Sequence, residues 1–111
     1  MQLLLHASAQ RTGTGQTDGY TEPDFKVRSL WINVSQISVN LLGSITIKVQ
    51  HSENGSEWTD VPNLTTGGLS STGKTTISLD PSFATLDNLR IVWTFNNANS
   101  ITFTAIILGA K

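Results

Sequence analysis

The chain contains no cysteine, which removes disulfide scaffolds, thiolate zinc sites and cysteine nucleophiles together and leaves the redox compartment open. Charge is scarce. Only 14 % of the 111 residues are charged, seven basic against eight acidic, for a formal net charge of -1, so no basic stripe is available to neutralise phosphates. Nucleic acid and anionic membrane surfaces are therefore not expected partners. No stretch approaches the roughly 20 apolar residues of a membrane-spanning helix. Leu3-Leu4-Leu5 before Ala7-Ser8-Ala9 imitates a secretion leader, but no cationic residue precedes it and the run is far short of the roughly 7–15 apolar residues required. The expectation is a protein folded in a cytoplasm.

Catalytic material is equally thin. The two histidines, His6 and His51, lie far apart and neither has metal-ligand spacing to a carboxylate. Glu53, Glu57 and Asp60 form one acidic cluster and Asp18, Glu22 and Asp24 another, neither with a calcium-loop pattern. No acid, base and nucleophile set can be named, so an enzyme, a cofactor and a metal are all unexpected. Gly68 to Thr75 does satisfy the phosphate-loop pattern G-x-x-x-x-G-K-[ST]. Its context opposes that reading, because Thr76-Ile77-Ser78-Leu79 continues as a strand pattern where an anion-binding helix N-terminus is needed.

What the chain has in abundance is Ser, Thr and period-2 alternation, which suits strands with a hydroxyl-lined exterior. The stretch from Ser44 to Val61 organises the rest. Ile45, Ile47 and Val49 alternate with Thr46, Lys48 and Gln50, and Asn54-Gly55 then signals a type I′ hairpin turn, with Trp58 folded back over it. Before it, Gln2 to Ala9 forms an opening strand with Leu3, Leu5 and Ala7 on one face and Leu4 and His6 on the other. Arg11 to Thr21 is a Gly- and Thr-rich excursion or mobile arm carrying Tyr20. From Lys26 to Ser35, Leu30, Ile32 and Val34 face the core and Trp31, Asn33 and Ser35 face away. Gln36 to Gly43 reads as a bent strand, since Ile37, Val39, Leu41 and Leu42 are too apolar for an exposed loop. After the hairpin, Pro62 to Gly73 is a long connection, Lys74 to Leu79 a strand, and Ser82 to Asn88 a single helical turn. Leu89, Ile91, Trp93 and Phe95 then line a buried face, Asn96 to Asn99 makes a turn, and Ile101, Phe103, Ala105 and Ile107 return.

This pattern predicts an all-β protein: one domain over residues 1–111, an antiparallel β-sandwich or jelly-roll-like barrel of about seven to eight strands. Of the three tryptophans, Trp93 belongs in the core, Trp58 covers the hairpin and Trp31 faces outward, where it can stack on a sugar ring or dock on a neighbouring protein. Cover by the Arg11 to Thr21 arm, or burial on both sheet faces, is the structural alternative for Trp31.

Four segments carry a resemblance: HASAQRTGTGQ at His6 to Gln16, VQHSENGSEWTDV at Val49 to Val61, LRIVWTF at Leu89 to Phe95 and SITFTAIILG at Ser100 to Gly109. Together they resemble small virion proteins of tailed bacteriophages, in which an S-x-D-G-x-x-W-T-D hairpin precedes an L-R-x-x-W-T strand and a terminal S-x-T-F strand. Asn54 stands where that pattern has Asp. The hairpin also recurs in discoidin-like and other carbohydrate-binding sandwiches. The resemblance implies a capsid decoration protein, assembled in the host cytoplasm and located in the virion on the outer surface of the head. Its partner would be the major capsid protein, and it would be present as a homo-oligomer or as repeated lattice copies. Arg11, Tyr20 and Trp31 are the partner-binding candidates. One alternative is a carbohydrate-binding adhesion module of a tail tip, with Trp31 or Tyr20 under a glycan, and another is a tail-tube or connector subunit.

Overall fold

A computed structural model describes residues 2–80 and 84–110. It consists of seven antiparallel strands: β1 (Gln2–Arg11), β2 (Gly15–Gln16), β3 (Tyr20–Thr21), β4 (Lys26–Ser52), β5 (Thr59–Thr65), β6 (Gly73–Ser78) and β7 (Asn88–Ala110). The expected all-β class and strand number are what the structure has. Two of the strands are far longer than the alternation suggested. β4 and β7 pair with each other along nearly their whole length, from Lys26 opposite Ala110 to Ser52 opposite Asn88. Everything else attaches to this long ribbon.

The attachments differ between its two halves. The first half of β4 and the second half of β7 are flanked by β6 and β1, which makes one four-stranded layer. The second half of β4 and the first half of β7 are flanked by β5 on one side and by β2 and β3 on the other. The hydrogen bonding is continuous, so this is one sheet. A flat sheet cannot bury one face by itself, yet Leu30, Ile32, Ile101, Phe103 and Ile107 of one half and Ile45, Ile47, Val49, Leu89 and Ile91 of the other are all at most 2 % exposed. The sheet folds over so that these two faces cover each other, and a direct contact across the fold is His6 against Trp93, with ring centroids 5.1 Å apart. Each such fully buried aliphatic side chain contributes about 1.5–3 kcal/mol relative to exposure.

The fold line is a four-residue bulge. Val39 pairs with Ala98 and Ser44 with Asn96, so Asn40 to Gly43 stand opposite the single residue Asn97. Residues 96–99 are accordingly no turn, in contrast to the expectation from their composition. Asn97 takes φ 53°, a conformation that Asn tolerates, and the chain continues in the same strand. The segment Ile101 to Ile107 extends the Leu89 strand instead of returning beside it. Gln36 to Gly43 is strand and bends at the bulge, as expected, and Ile37 and Val39 pack on the core, but Leu41 and Leu42 are thrown out to 88 % and 92 % exposure.

Three further local expectations are corrected. Asn54 does not adopt positive φ, and only Gly55 does, at 80°. The turn is thus no two-residue type I′ loop; His51 pairs with Thr59 and the loop between them is organised by side chains. Ser52 Oγ accepts from Gly55 N at 2.9 Å, and Asn54 Oδ1 accepts from Ser56 N and Glu57 N at 2.9 and 3.0 Å. An Asx turn therefore does the work assigned to backbone dihedrals. His6 points inward because the β1–β7 register shifts between Leu4 and His6, so Leu3 and His6 share the buried face while Leu4 turns out. Of the helical turn expected at Ser82 to Asn88, Ser82 and Phe83 lie outside the described residues, and Ala84 to Asn88 show no helix. Gly68 to Thr75 runs into β6, so no helix follows that phosphate-loop match.

Candidate functional site

The outer face of the β6–β4–β7–β1 layer is set by alternation. Because Leu30 and Ile32 face the core, Trp31 must face out, and it is 47 % exposed. Registry then decides its neighbours. Ile106 of β7 and Thr76 of β6 stand opposite Trp31 on either side, and Leu4 of β1 stands opposite Ile106. The result is a row across four strands, Leu4–Ile106–Trp31–Thr76, in which Leu4 is itself 55 % exposed. The indole N–H donates to Ser29 Oγ at 3.0 Å, which lays the ring back along β4. Beside it is an open cleft of about 230 Å³, lined by Trp31, Ile32, Ile106, Thr75, Thr76 and Thr104 together with Asn33 and Lys74. An amphipathic ring, an apolar floor and a rim of hydroxyl, amide and ammonium groups make a surface suited to a neutral, partly apolar ligand.

The three residues singled out from sequence do not converge. Trp31 is uncovered, and the Arg11 to Thr21 arm lies elsewhere. That arm is zipped onto the other half of β7: Thr17 N donates to Ile91 O at 2.9 Å, Ile91 N to Thr17 Oγ1 at 3.0 Å and Phe95 N to Thr14 Oγ1 at 2.9 Å. Tyr20 sits at its end opposite Leu89 and is 40 % exposed, on the edge of the second layer. Arg11 turns inward. Its Nε donates to His6 Nε2 at 2.9 Å and its guanidinium carbon lies 4.7 Å from the Trp93 ring centroid, a cation–π contact.

Arg11 thereby completes a buried aromatic cluster. His6 is stacked on Phe103 with centroids 3.9 Å apart and an interplanar angle of 3°, and its Nδ1 lies 2.9 Å from the Phe103 carbonyl oxygen. With Nδ1–H donating there and Nε2 accepting from Arg11, the imidazole is neutral. Burial lowers its pKa from 6.5, with a smaller contribution from the Arg11 charge, against an upward contribution from the Phe103 carbonyl. Trp93 donates its indole N–H to Gly13 O at 2.9 Å, so the arm is also the lid of this cluster. His51 is 8 % exposed; its Nδ1 accepts from Leu86 N at 3.1 Å, and burial lowers its pKa as well. Both imidazoles are buried and held by neighbouring groups.

Trp58, expected over its own turn, instead lies against Arg90 of β7 and Gly19 of the arm, with the Arg90 guanidinium carbon 4.4 Å from its ring centroid. Asp60 accepts from Lys48 Nζ at 3.1 Å and Gln50 Nε2 at 2.9 Å, and these hydrogen bonds, Gln50 first, lower its pKa. Among the described residues no group of three His, Cys, Asp or Glu side chains could hold a metal ion. Sequence reasoning missed the row around Trp31, because Leu4 and Ile106 meet it only through strand registry.

No protein-family model matches the chain, and no curated protein matches it in sequence. Its fold has solved relatives. The structure of PirA is 19 % identical with a TM-score of 0.54, over 90 % of this chain and 91 % of that one. The prophage-derived protein YomS of SPBc2 is 15 % identical with a TM-score of 0.53, over 96 % and 90 %. A low-affinity xylan-binding module, CBM86, from the gut symbiont Roseburia intestinalis is 19 % identical with a TM-score of 0.50, over 97 % and 83 %. The same folded sheet thus occurs in a prophage protein and in a carbohydrate-binding module.

Proposed function

We propose that the chain is a structural protein of a tailed-phage particle, a decoration subunit held on the outside of the capsid by many weak apolar contacts. The observation that carries this reading is the set of apolar side chains left in solvent on a chain of low charge: Leu4 and Trp31 on either side of the half-buried Ile106 on one face, and Leu41–Leu42 at the fold line. Those residues contribute little to the fold, and each patch is small, which suits a subunit that binds a repeated surface through summed modest interfaces. Binding only the mature lattice would stabilise that lattice by mass action. The shared fold with a prophage protein supports the reading, as does the sequence resemblance. Co-sedimentation with mature heads lacking this protein tests it. Saturable binding at lattice stoichiometry with added heat resistance is expected, and absence of binding refutes it.

A second reading rests on the Trp31 cleft. An exposed indole beside Asn33, Lys74 and threonine hydroxyls matches the way pyranose rings are held, and one solved relative of the fold is a xylan-binding module. Quenching or protection of Trp31 fluorescence by soluble xylan, absent in Trp31→Ala, would establish that use. Unchanged fluorescence at millimolar sugar would exclude it.

A further inference from the structure

The loop that joins β4 to β5 is organised around one oxygen atom. Ser52 Oγ, Ser56 N and Glu57 N all donate to Asn54 Oδ1, at 3.1, 2.9 and 3.0 Å. Two backbone N–H donors on this atom identify it as the carbonyl oxygen, because the amide nitrogen cannot accept. Ser52 Oγ also accepts from Gly55 N at 2.9 Å, so one hydroxyl touches both the Asn54 carbonyl and the amide that follows it. The base of the loop is fixed. Asn88 Nδ2 donates to the Ser52 and Glu53 carbonyls at 3.1 and 3.3 Å, and Thr21 Oγ1 donates to Asn88 Oδ1 at 2.6 Å. Ser52 is 1 % exposed, whereas Asn54, Gly55 and Ser56 stand in solvent.

A neutral amide makes poor use of this frame. Its oxygen has two lone pairs for three donors, whereas a carboxylate offers about four acceptor sites and receives charge-assisted bonds of roughly twice the strength. The same donors also face the negative charge that develops on Oδ1 when a nucleophile adds to Cγ, at the spacing of about 2.7–3.1 Å that stabilises an oxyanion. The next nitrogen in the chain is Gly55 N, and its approach is open. Gly55 has φ 80°, and a Cβ built there would meet Asn88 Oδ1 at 4.0 Å and nothing closer. Asn54 is the only asparagine of the sequence that glycine follows.

We propose that Asn54–Gly55 is a self-modification site, at which the loop converts its own Asn54 amide to a carboxylate. Gly55 N bonds to Asn54 Cγ; its proton passes to Ser52 Oγ while the Ser52 hydroxyl proton moves to Oδ1. The Cγ–Nδ2 bond then breaks, nitrogen keeps the electron pair and takes the Oδ1 proton, and ammonia departs into solvent. A five-membered cyclic imide remains. Water adds its hydroxyl to Cγ and its proton to Gly55 N, which leaves aspartate in the original backbone. One water is consumed, one ammonia is released, and nothing is oxidised or reduced. Opening at the backbone carbonyl would give isoaspartate and move the carboxylate off the three donors, so the frame favours aspartate. The product adds one negative charge to a chain of net charge -1, beside Glu53 and Glu57, which are exposed and repel it only through screening solvent.

Incubation of the full-length protein at pH 8 followed by tryptic mapping reads the reaction directly, because Val49 to Lys74 is one tryptic peptide whose asparagines are Asn54 and Asn63. Conversion of amide to acid is expected at Asn54 and not at Asn63, with aspartate the main product. It should run at least as fast in the folded protein as in the same chain unfolded by urea. Ser52→Ala removes one donor and the proton path and should slow it at least about ten-fold. Should that variant fail to fold, the urea comparison still decides. Asn54→Asp, the product itself, should unfold at a higher urea concentration than the parent at pH 7 and lose that advantage at pH 3, where the carboxylate is protonated. The proposal is overturned by an Asn54 amide that survives incubation, by faster conversion in urea, by isoaspartate as the main product, by an unchanged rate in folded Ser52→Ala, or by an Asn54→Asp protein less stable than its parent at pH 7. None of these readouts involves a capsid or a sugar, so they fail independently of either binding role.

Discussion

Acidification should destabilise this protein in a window set by its two buried histidines. Burial lowers the pKa of both His6 and His51 from 6.5, while in the unfolded chain both return to that value. As pH falls through 6.5 the unfolded state takes up protons that the folded state refuses. More protons are then bound in the unfolded state, and stability falls with falling pH until the folded pKa values are reached. The limiting slope is about 1.4 kcal/mol per pH unit for each group, hence up to about 2.7 kcal/mol per unit for the pair, a large fraction of an ordinary stability of roughly 5–15 kcal/mol. Urea unfolding followed by Trp fluorescence between pH 7.5 and 5 measures it, above the range in which carboxylates titrate. His6→Gln keeps a hydrogen-bonding side chain but cannot titrate; it should be less stable at pH 7.5, having lost the Phe103 stack worth about 0.5–1.5 kcal/mol, and its slope should be shallower than that of the parent. Equal slopes in the two proteins, or a flat profile in the parent, would refute the assignment of a neutral buried imidazole at His6.

Tryptophans on opposite faces should behave oppositely: Trp93→Ala, at 3 % exposure and bonded to Gly13 O, should cost about 3–5 kcal/mol by denaturant titration, and Trp31→Ala under about 1 kcal/mol. Gly43→Ala must displace the Asn97 carbonyl, and a loss of about 1–3 kcal/mol is expected; a neutral result would mean that the fold line is plastic. Thr66 is buried and its hydroxyl accepts from Ile47 N at 3.0 Å, so Thr66→Val, nearly isosteric, should strand that amide at about 1–3 kcal/mol and open it to hydrogen exchange. Asp60→Asn should change thermal stability by no more than about 1 kcal/mol, because its ion pair with Lys48 is largely solvated.

The period-2 positions determined by themselves that the chain is all-β and which side chains fill its centre. Leu30, Ile32, Val34, Ile45, Ile47, Val49, Leu89, Ile91, Trp93, Ile101, Phe103, Ala105 and Ile107 are all buried as the alternation requires, and Trp31 faces out for the same reason. Alternation fixes faces, but it carries no information about where a strand ends or which strand lies beside it. Hence Asn96 to Asn99, a turn by composition, is an uninterrupted part of β7, because four residues of β4 bulge against it and Asn97 and Asn99 bond to Asn40 of that bulge. A one-residue register shift, invisible in the pattern, put His6 inside with Phe103 and Trp93, and Arg11 followed it there. The Leu4–Ile106–Trp31 row and the exposure of Leu41 and Leu42 likewise exist only because of which strands lie side by side, a choice made by packing the two halves of one long ribbon against each other.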